Sequence, residues 1–369
     1  MFKAPFMFKT LGLVLGALML SACGSSSSSI TSNTSAELEI AIEQVIDNTI
    51  MPASAAFKAQ VQVLDDSAEF FCSDGNINEA NLLTVQEKWV QTNDTWFQLL
   101  PFNFGPMITS VVIPNYYYID SFRVNGVDST TIVRAEINNL LSSVTGINDD
   151  LFTTKESNKV GLLALEVALF ENADSGSTAS SDIVSEFASA PRKCQVLTGY
   201  TAELLRRANI IDDGWITDYR STGSGYRELL LSGELENVSG EDGSAATTKI
   251  VLAVQNYYDY LANRSVTSSV AQLSNSIWDS LGLSIDITQE LLEGKADTNV
   301  SLFDIMNNTD GNTLDVESIK ANFITIHAAI DEANSTDLQA AAKALDNNFK
   351  VDVTTGLDID AGLSFADGD

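Results

Sequence analysis

Residues 191–215 read PRKCQVLTGYTAELLRRANIIDDGW. Pro191 opens the run, at a position where its missing N–H costs a helix nothing. Cys194, Leu197, Leu204, Ala208, Ile211 and Trp215 then follow at steps of three, seven, four, three and four. These steps bring side chains onto one face of a helix that turns every 3.6 residues, whereas a strand would need strict alternation. The stretch therefore predicts a long amphipathic helix with one apolar seam. Such a seam is stable only when packed against another, so the chain must supply partner helices.

It supplies them on both sides. Val316, Ile319, Phe323, Ile326 and Ile330 step by three, four, three and four, and Leu338, Ala342, Leu345 and Phe349 by four, three and four. Val254, Tyr258 and Leu261 continue the pattern. Thr34 with Glu37 and Thr84 with Glu87 have capping-box spacing and predict helix starts. Strand signals are sparse. Val111 to Tyr118 is β-branched and aromatic, but Pro114 interrupts it, which predicts an extended connection or an edge piece. Glycine- and serine-rich breaks fall at 174–181, 221–225 and 239–244, none with phosphate-loop or dinucleotide spacing. The pattern predicts an all-α fold of two up-and-down helical bundles, residues 36–190 and 191–369. The break at 221–225 offers an alternative boundary.

The N-terminus carries Lys3 and Lys9, a short apolar run from Leu11 to Leu20, then Leu20-Ser21-Ala22-Cys23. The apolar run is half the ~20 residues needed to span a bilayer, so it reads as a cleaved export signal. Small residues before a cysteine, with a Gly-Ser segment behind, resemble the bacterial lipoprotein signal. The resemblance implies that residues 1–23 form the signal, that Cys23 is lipidated, and that residues 24–35 are a flexible tether. It also implies attachment to the membrane through this lipid. Gly24 in place of an aspartate points to the outer membrane, with the folded part facing the periplasm or the cell exterior.

The net charge is −30, and removing residues 1–23, which hold two lysines and no acid, leaves −32. A surface of that sign repels phosphate backbones and anionic headgroups, which argues against nucleic-acid partners. Two cysteines remain after processing, Cys72 and Cys194. An exported chain meets an oxidising compartment, so the expectation is a structural Cys72–Cys194 disulfide. Neither cysteine has a histidine or another cysteine near it in sequence, which weakens a metal-site reading.

Three stretches together carry a family resemblance. The first is Phe71-Cys72 followed by Trp89, Trp96 and Phe104-Gly105-Pro106. The second is Gly161-Leu162-Leu163-Ala164-Leu165-Glu166, with Leu169-Phe170 behind it. The third is the terminal Gly362-Leu363-Ser364-Phe365-Ala366-Asp367-Gly368-Asp369. In this order they resemble the imelysin-like family of bacterial exported proteins, and the long helix from Arg192 to Trp215 fits as well. The resemblance implies two helical bundles, a link to iron or other metal acquisition, and a nominal place among metallopeptidases. A divalent metal or iron is the cofactor or ligand it suggests.

One branch of the family carries Gly-x-His-x-x-Glu, whose His and Glu are proposed metal ligands. Here Leu163 stands at the His position and Glu166 remains. Leucine has no lone pair, so a His/Glu pair cannot form there. Glu166 lies in an otherwise apolar run and needs compensation by Arg134, a tyrosine hydroxyl, a backbone amide or a cation. It reads as a structural hydrogen-bond partner or as a ligand. The single histidine, His327, shares a helix face with Asp331 four residues on, a second candidate metal pair. Zinc hydrolases need two or three such ligands plus a general base. No His-Glu-x-x-His and no nucleophile motif is present, so no catalytic set is assigned. The pairs Asp65-Asp66, Asp149-Asp150 and Asp212-Asp213 predict turns and helix ends. Tyr116, Tyr117 and Tyr118, with Trp89 and Trp96, suggest either core packing or a groove for a flat ligand. The leading expectation is a non-enzymatic binding or accessory lipoprotein connected to metal or iron uptake. The alternatives are a metal-dependent peptidase and a structural protein that meets an envelope partner.

Overall fold

Pro52 sits inside what is otherwise one helical path from Ser28 to Cys72 in the computed structural model, which describes residues 28–109, 113–295, 298–309 and 313–359. Helix α1 (Ser28–Val45) passes into a π-turn, Ile46–Ile50, and then into α2 (Met51–Cys72). The Met51 N–H bonds to the Ile46 carbonyl, five residues back. Proline lacks an N–H, and its ring crowds the carbonyl four residues earlier, so a wider turn just ahead of it relieves the clash. Because α1 begins at Ser28, part of the stretch expected as tether is helical, and Thr34 is not a helix start. Cys23 and the terminal motif from Gly362 lie outside the described residues.

Helix α3 (Glu79–Leu99) starts five residues before the expected cap at Thr84. Asn78 caps it instead, accepting from the Asn81 N–H at 3.0 Å, while the Thr84 hydroxyl bonds back to the Ala80 carbonyl. Among the described residues there is no strand. The stretch expected as extended near Pro114 forms a short helix over Asn115–Ile119, with Pro114 just ahead of it. Further along come α4 (Thr130–Ser142), α5 (Leu162–Phe170), α6 (Ser180–Ser189) and α7 (Pro191–Ile216). The second half holds α8 (Tyr226–Ser232), α9 (Ala246–Asn263), α10 (Ile277–Glu293), α11 (Leu302–Asn308), α12 (Thr313–Asp331) and α13 (Ser335–Asn347).

Helix α7 packs along α2, and α2 along α3; α4, α5 and α6 complete this first group. Helices α9, α10, α12 and α13 form the second, with α11 between α10 and α12. Helix α7, which begins at Pro191, packs chiefly against helices that precede it in the chain. On α7 the seam residues Leu197, Leu204, Ala208, Ile211 and Trp215 are all buried, as are Val316, Ile319, Phe323 and Ile326 on α12. Each of the leucine, isoleucine, valine and phenylalanine side chains among them contributes about 1.5–3 kcal/mol of burial. The cores of the two groups are continuous, because α3 of the first packs on α10 of the second. Cys72, the last residue of α2, is bridged to Cys194 in the first turn of α7, with Cα atoms 5.5 Å apart. Among the described residues no helix is long and apolar enough to cross a membrane.

Candidate functional site at the bundle junction

Helix α5 begins where only a glycine fits. Gly161 has φ of +84°, and a Cβ there would lie 2.5 Å from the carbonyl oxygens of both Tyr118 and Ile119. Without a side chain the backbone presses against that carbonyl pair and turns directly into the helix. Helix α5 is apolar nearly all round, and Leu162, Ala164, Leu165, Val167, Ala168 and Leu169 are buried. Glu166 is the charged exception, 2 % exposed. Its Oε1 accepts two hydrogen bonds of 2.9 Å, from the backbone N–H and the hydroxyl of Ser274. Ser274 lies on the connection between α9 and α10, so these bonds tie α5 to the second bundle. Burial pushes the Glu166 carboxyl above its usual range, and the bonds from Ser274 oppose that shift.

A second carboxyl sits on the same small cavity. Asp120 is 7 % exposed and accepts from Trp96 Nε1 and from the Arg123 N–H, each at 3.3 Å. Burial raises its pKa as well, with those two hydrogen bonds acting in the opposite direction. The cavity is about 20 Å³, with Asn93, Asp120, Leu163 and Glu166 on its wall. That is room for about one water molecule. Asn93 donates to the Ser280 hydroxyl at 3.0 Å, and Ser280 donates to Asp94 at 2.6 Å, so α3 and α10 are also joined by polar contacts here. Trp89 Nε1 donates to the Leu162 carbonyl at 3.0 Å and fixes the start of α5 against α3.

Of the compensators proposed from sequence for Glu166, the backbone amide is the one realised. Arg134 turns instead to Glu171, in a two-pronged pair at 2.7 and 2.6 Å. His327 Nε2 lies 3.4 Å from Asp286 on α10, while Asp331, one turn along α12, is exposed. Asp65 and Asp212 sit within helices, not in turns. Asp65 accepts from Thr201, and Lys58 bridges Asp212 and Asp213 at 2.9 and 3.3 Å. Asp149 does begin a short helix, capped by Asn148. The aromatic residues are packing: Trp89 and Trp96 are buried, and Tyr118 lies under the Arg207 guanidinium at 3.7 Å. Asp120 and Ser274 were not found from sequence. Neither lies in a motif, and only the fold brings them to α5.

Among the described residues, no group of three or more His, Cys, Asp or Glu side chains could hold a metal ion. At the junction the two carboxyls share the cavity wall with Asn93, Ser269 and apolar or aromatic side chains, and Ser274, Trp96 and the Arg123 N–H already engage three of their oxygens. This donor set does not fit a resident zinc or iron, which take several nitrogen, sulfur or oxygen ligands together.

The family model described as Imelysin, of the M75 peptidases, matches residues 50–357. The chain belongs to the imelysin family. Two solved imelysin-like folds align over most of its length. An imelysin-like protein from Psychrobacter arcticum 273-4 superposes with a TM-score of 0.64 at 12 % identity, covering 90 % of this chain and 98 % of that one. A protein provisionally named an iron-regulated protein A precursor, from Parabacteroides distasonis ATCC 8503, gives a TM-score of 0.58 at 12 % identity, covering 87 % and 95 %. At this identity the likeness shows a shared fold. No curated protein matches the sequence. Within this imelysin chain, the glycine of the α5 motif has a structural reason, the glutamate is turned to a serine hydroxyl, and the position between them is aliphatic.

Proposed function

We propose that this imelysin-family protein is a non-catalytic binding or accessory component of iron or other metal uptake, carried at the outer membrane on a lipidated Cys23. One observation carries the reading. Leu163 lines the junction cavity beside Glu166, where hydrolytic zinc chemistry would need a further nitrogen or oxygen ligand and an open water position. The cavity also has no room for a peptide. Glu166 acts as a tie between α5 and the second bundle through Ser274. The link to iron is supported by the name of the Parabacteroides distasonis structure, and the membrane position by the signal-like segment ending at Cys23.

The test has two arms. Purified protein incubated with a peptide library and added Zn²⁺ or Fe²⁺ leaves the peptides intact. Cells lacking the protein grow more slowly than wild type under iron chelation, and the wild-type chain restores growth. Metal-dependent cleavage that disappears in Glu166→Gln would overturn the non-catalytic reading. Growth unaffected by iron supply in the deletion strain would overturn the uptake reading.

A further inference from the structure

Helices α1 and α8 and the start of α9 enclose a groove of about 710 Å³, a volume typical of pockets that take small ligands. Leu38, Ile40 and Ile42 of α1 form one wall, and Leu230 and Leu231 of α8 form the other. Ile40 is 46 % exposed, an apolar side chain left open in a strongly acidic protein. Two acids stand at the groove, Glu39 and Glu43. Glu43 is bound by Arg227 Nη2 at 2.8 Å, and the same guanidinium holds Asp47. Glu39 is exposed on the rim and would repel a free fatty acid or an anionic headgroup. The lining therefore suits an uncharged hydrocarbon chain.

We propose that this groove receives one acyl chain of the lipid on Cys23; the proposal rests on the lipoprotein reading. Chain length supports it. The groove opens at Ser35, seven residues after Ser28, where α1 begins. Seven helical residues span about 10 Å. The five residues from Cys23 to Ser28 have a contour of about 17 Å, longer than that span. From Ser35 to Glu43 the α1 wall is about 12 Å long at the helical rise. An acyl chain, on the order of 15 Å or half a bilayer core, matches that wall. An acyl chain attached through an ester or an amide carries no charge, as the Glu39 rim requires. A chain held there shields its hydrocarbon from water whenever the protein is away from the bilayer.

The test uses the full-length chain made in cells fed a palmitate analogue bearing an alkyne and a diazirine. Alkyne tagging of the protein reports lipidation itself. After irradiation of the detergent-free protein, the expected crosslinks fall on residues 35–43, 230–233 and 245–247. In Ile40→Asp, at an exposed position, and in Leu231→Asp, at a half-buried one, they drop at least five-fold while tagging is unchanged. Tagged protein whose crosslinks go to other surfaces, to a second copy or to lipid alone refutes the groove while leaving lipidation standing. Absence of tagging removes the occupant and refutes both.

Discussion

Removing the Cys72–Cys194 bridge should cost the fold about 5 kcal/mol. The two cysteines are 122 residues apart, and closing a loop of that length in the unfolded chain lowers its entropy by an amount worth about 5 kcal/mol at 25 °C. In the folded state the bridge spans helix ends already held by the packing of α2 against α7, so its loss opens little space there. The double variant Cys72→Ala, Cys194→Ala avoids stray thiol chemistry. Urea titrations followed by helical circular dichroism compare it with the oxidised wild type. The midpoint should fall, and the dependence on denaturant should steepen, because the unbridged unfolded chain exposes more surface. Domains are stable by about 5–15 kcal/mol in all, so a loss of this size is at least about a third of the total. A loss below about 1 kcal/mol, with the denaturant dependence unchanged, would show that the bridge does not constrain the unfolded state as argued.

Gly161→Ala should destabilise the fold by about 2–5 kcal/mol, since the new methyl meets two backbone carbonyls and the left-handed φ strains any other residue; a thermal melt within 2 °C of wild type would contradict this. The Glu166 carboxyl is raised above its ordinary 4.5, so the folded state holds that proton more tightly than the unfolded chain, and its ionisation erodes stability as pH rises. Glu166→Gln keeps an acceptor for Ser274 and removes the charge; it should match wild type at pH 4 and melt higher at pH 8, and an equal shift at both values would refute the burial argument. Lys193 is 0 % exposed and pairs with Glu186 while also bonding the Glu171 carbonyl. Lys193→Ala leaves that carboxylate buried with only the Ala173 amide as donor and should cost about 3–5 kcal/mol in urea denaturation, part of it recovered by adding Glu186→Gln.

The helices of both bundles were legible because their seams recur at three and four residues, a local consequence of helix geometry. Helix starts were less so: Thr84 had a capping pattern, yet Asn78 caps the helix about a turn and a half earlier, where it accepts from the Asn81 N–H. The grouping of α7 with α2 and α3 was not legible, since a seam declares that a helix needs a partner and not which one. The cysteines were the exception. With Cys23 set aside at the end of the N-terminal segment, Cys72 and Cys194 left one pairing to make.

At the candidate site, Glu166 stood out as the one charge in an apolar run, and Leu163 marked the departure from a ligand pair. What compensates the carboxylate was open. Arginine, hydroxyl, amide and cation all satisfy the same electrostatic need, and the choice depends on which group the fold carries to within 3 Å. Ser274 arrives from 108 residues away, on the far side of α9.

The order of residues alone determined that this chain is helical and acidic and that Cys72 pairs with Cys194. Those properties follow from spacing, charge and side-chain chemistry, which are local or additive. Tertiary structure decided that α7 belongs with the N-terminal helices, that Asp120 joins Glu166 on one cavity, and that an apolar groove opens beside α1. Each depends on which distant surfaces meet, and packing fixes that only once the whole core has formed.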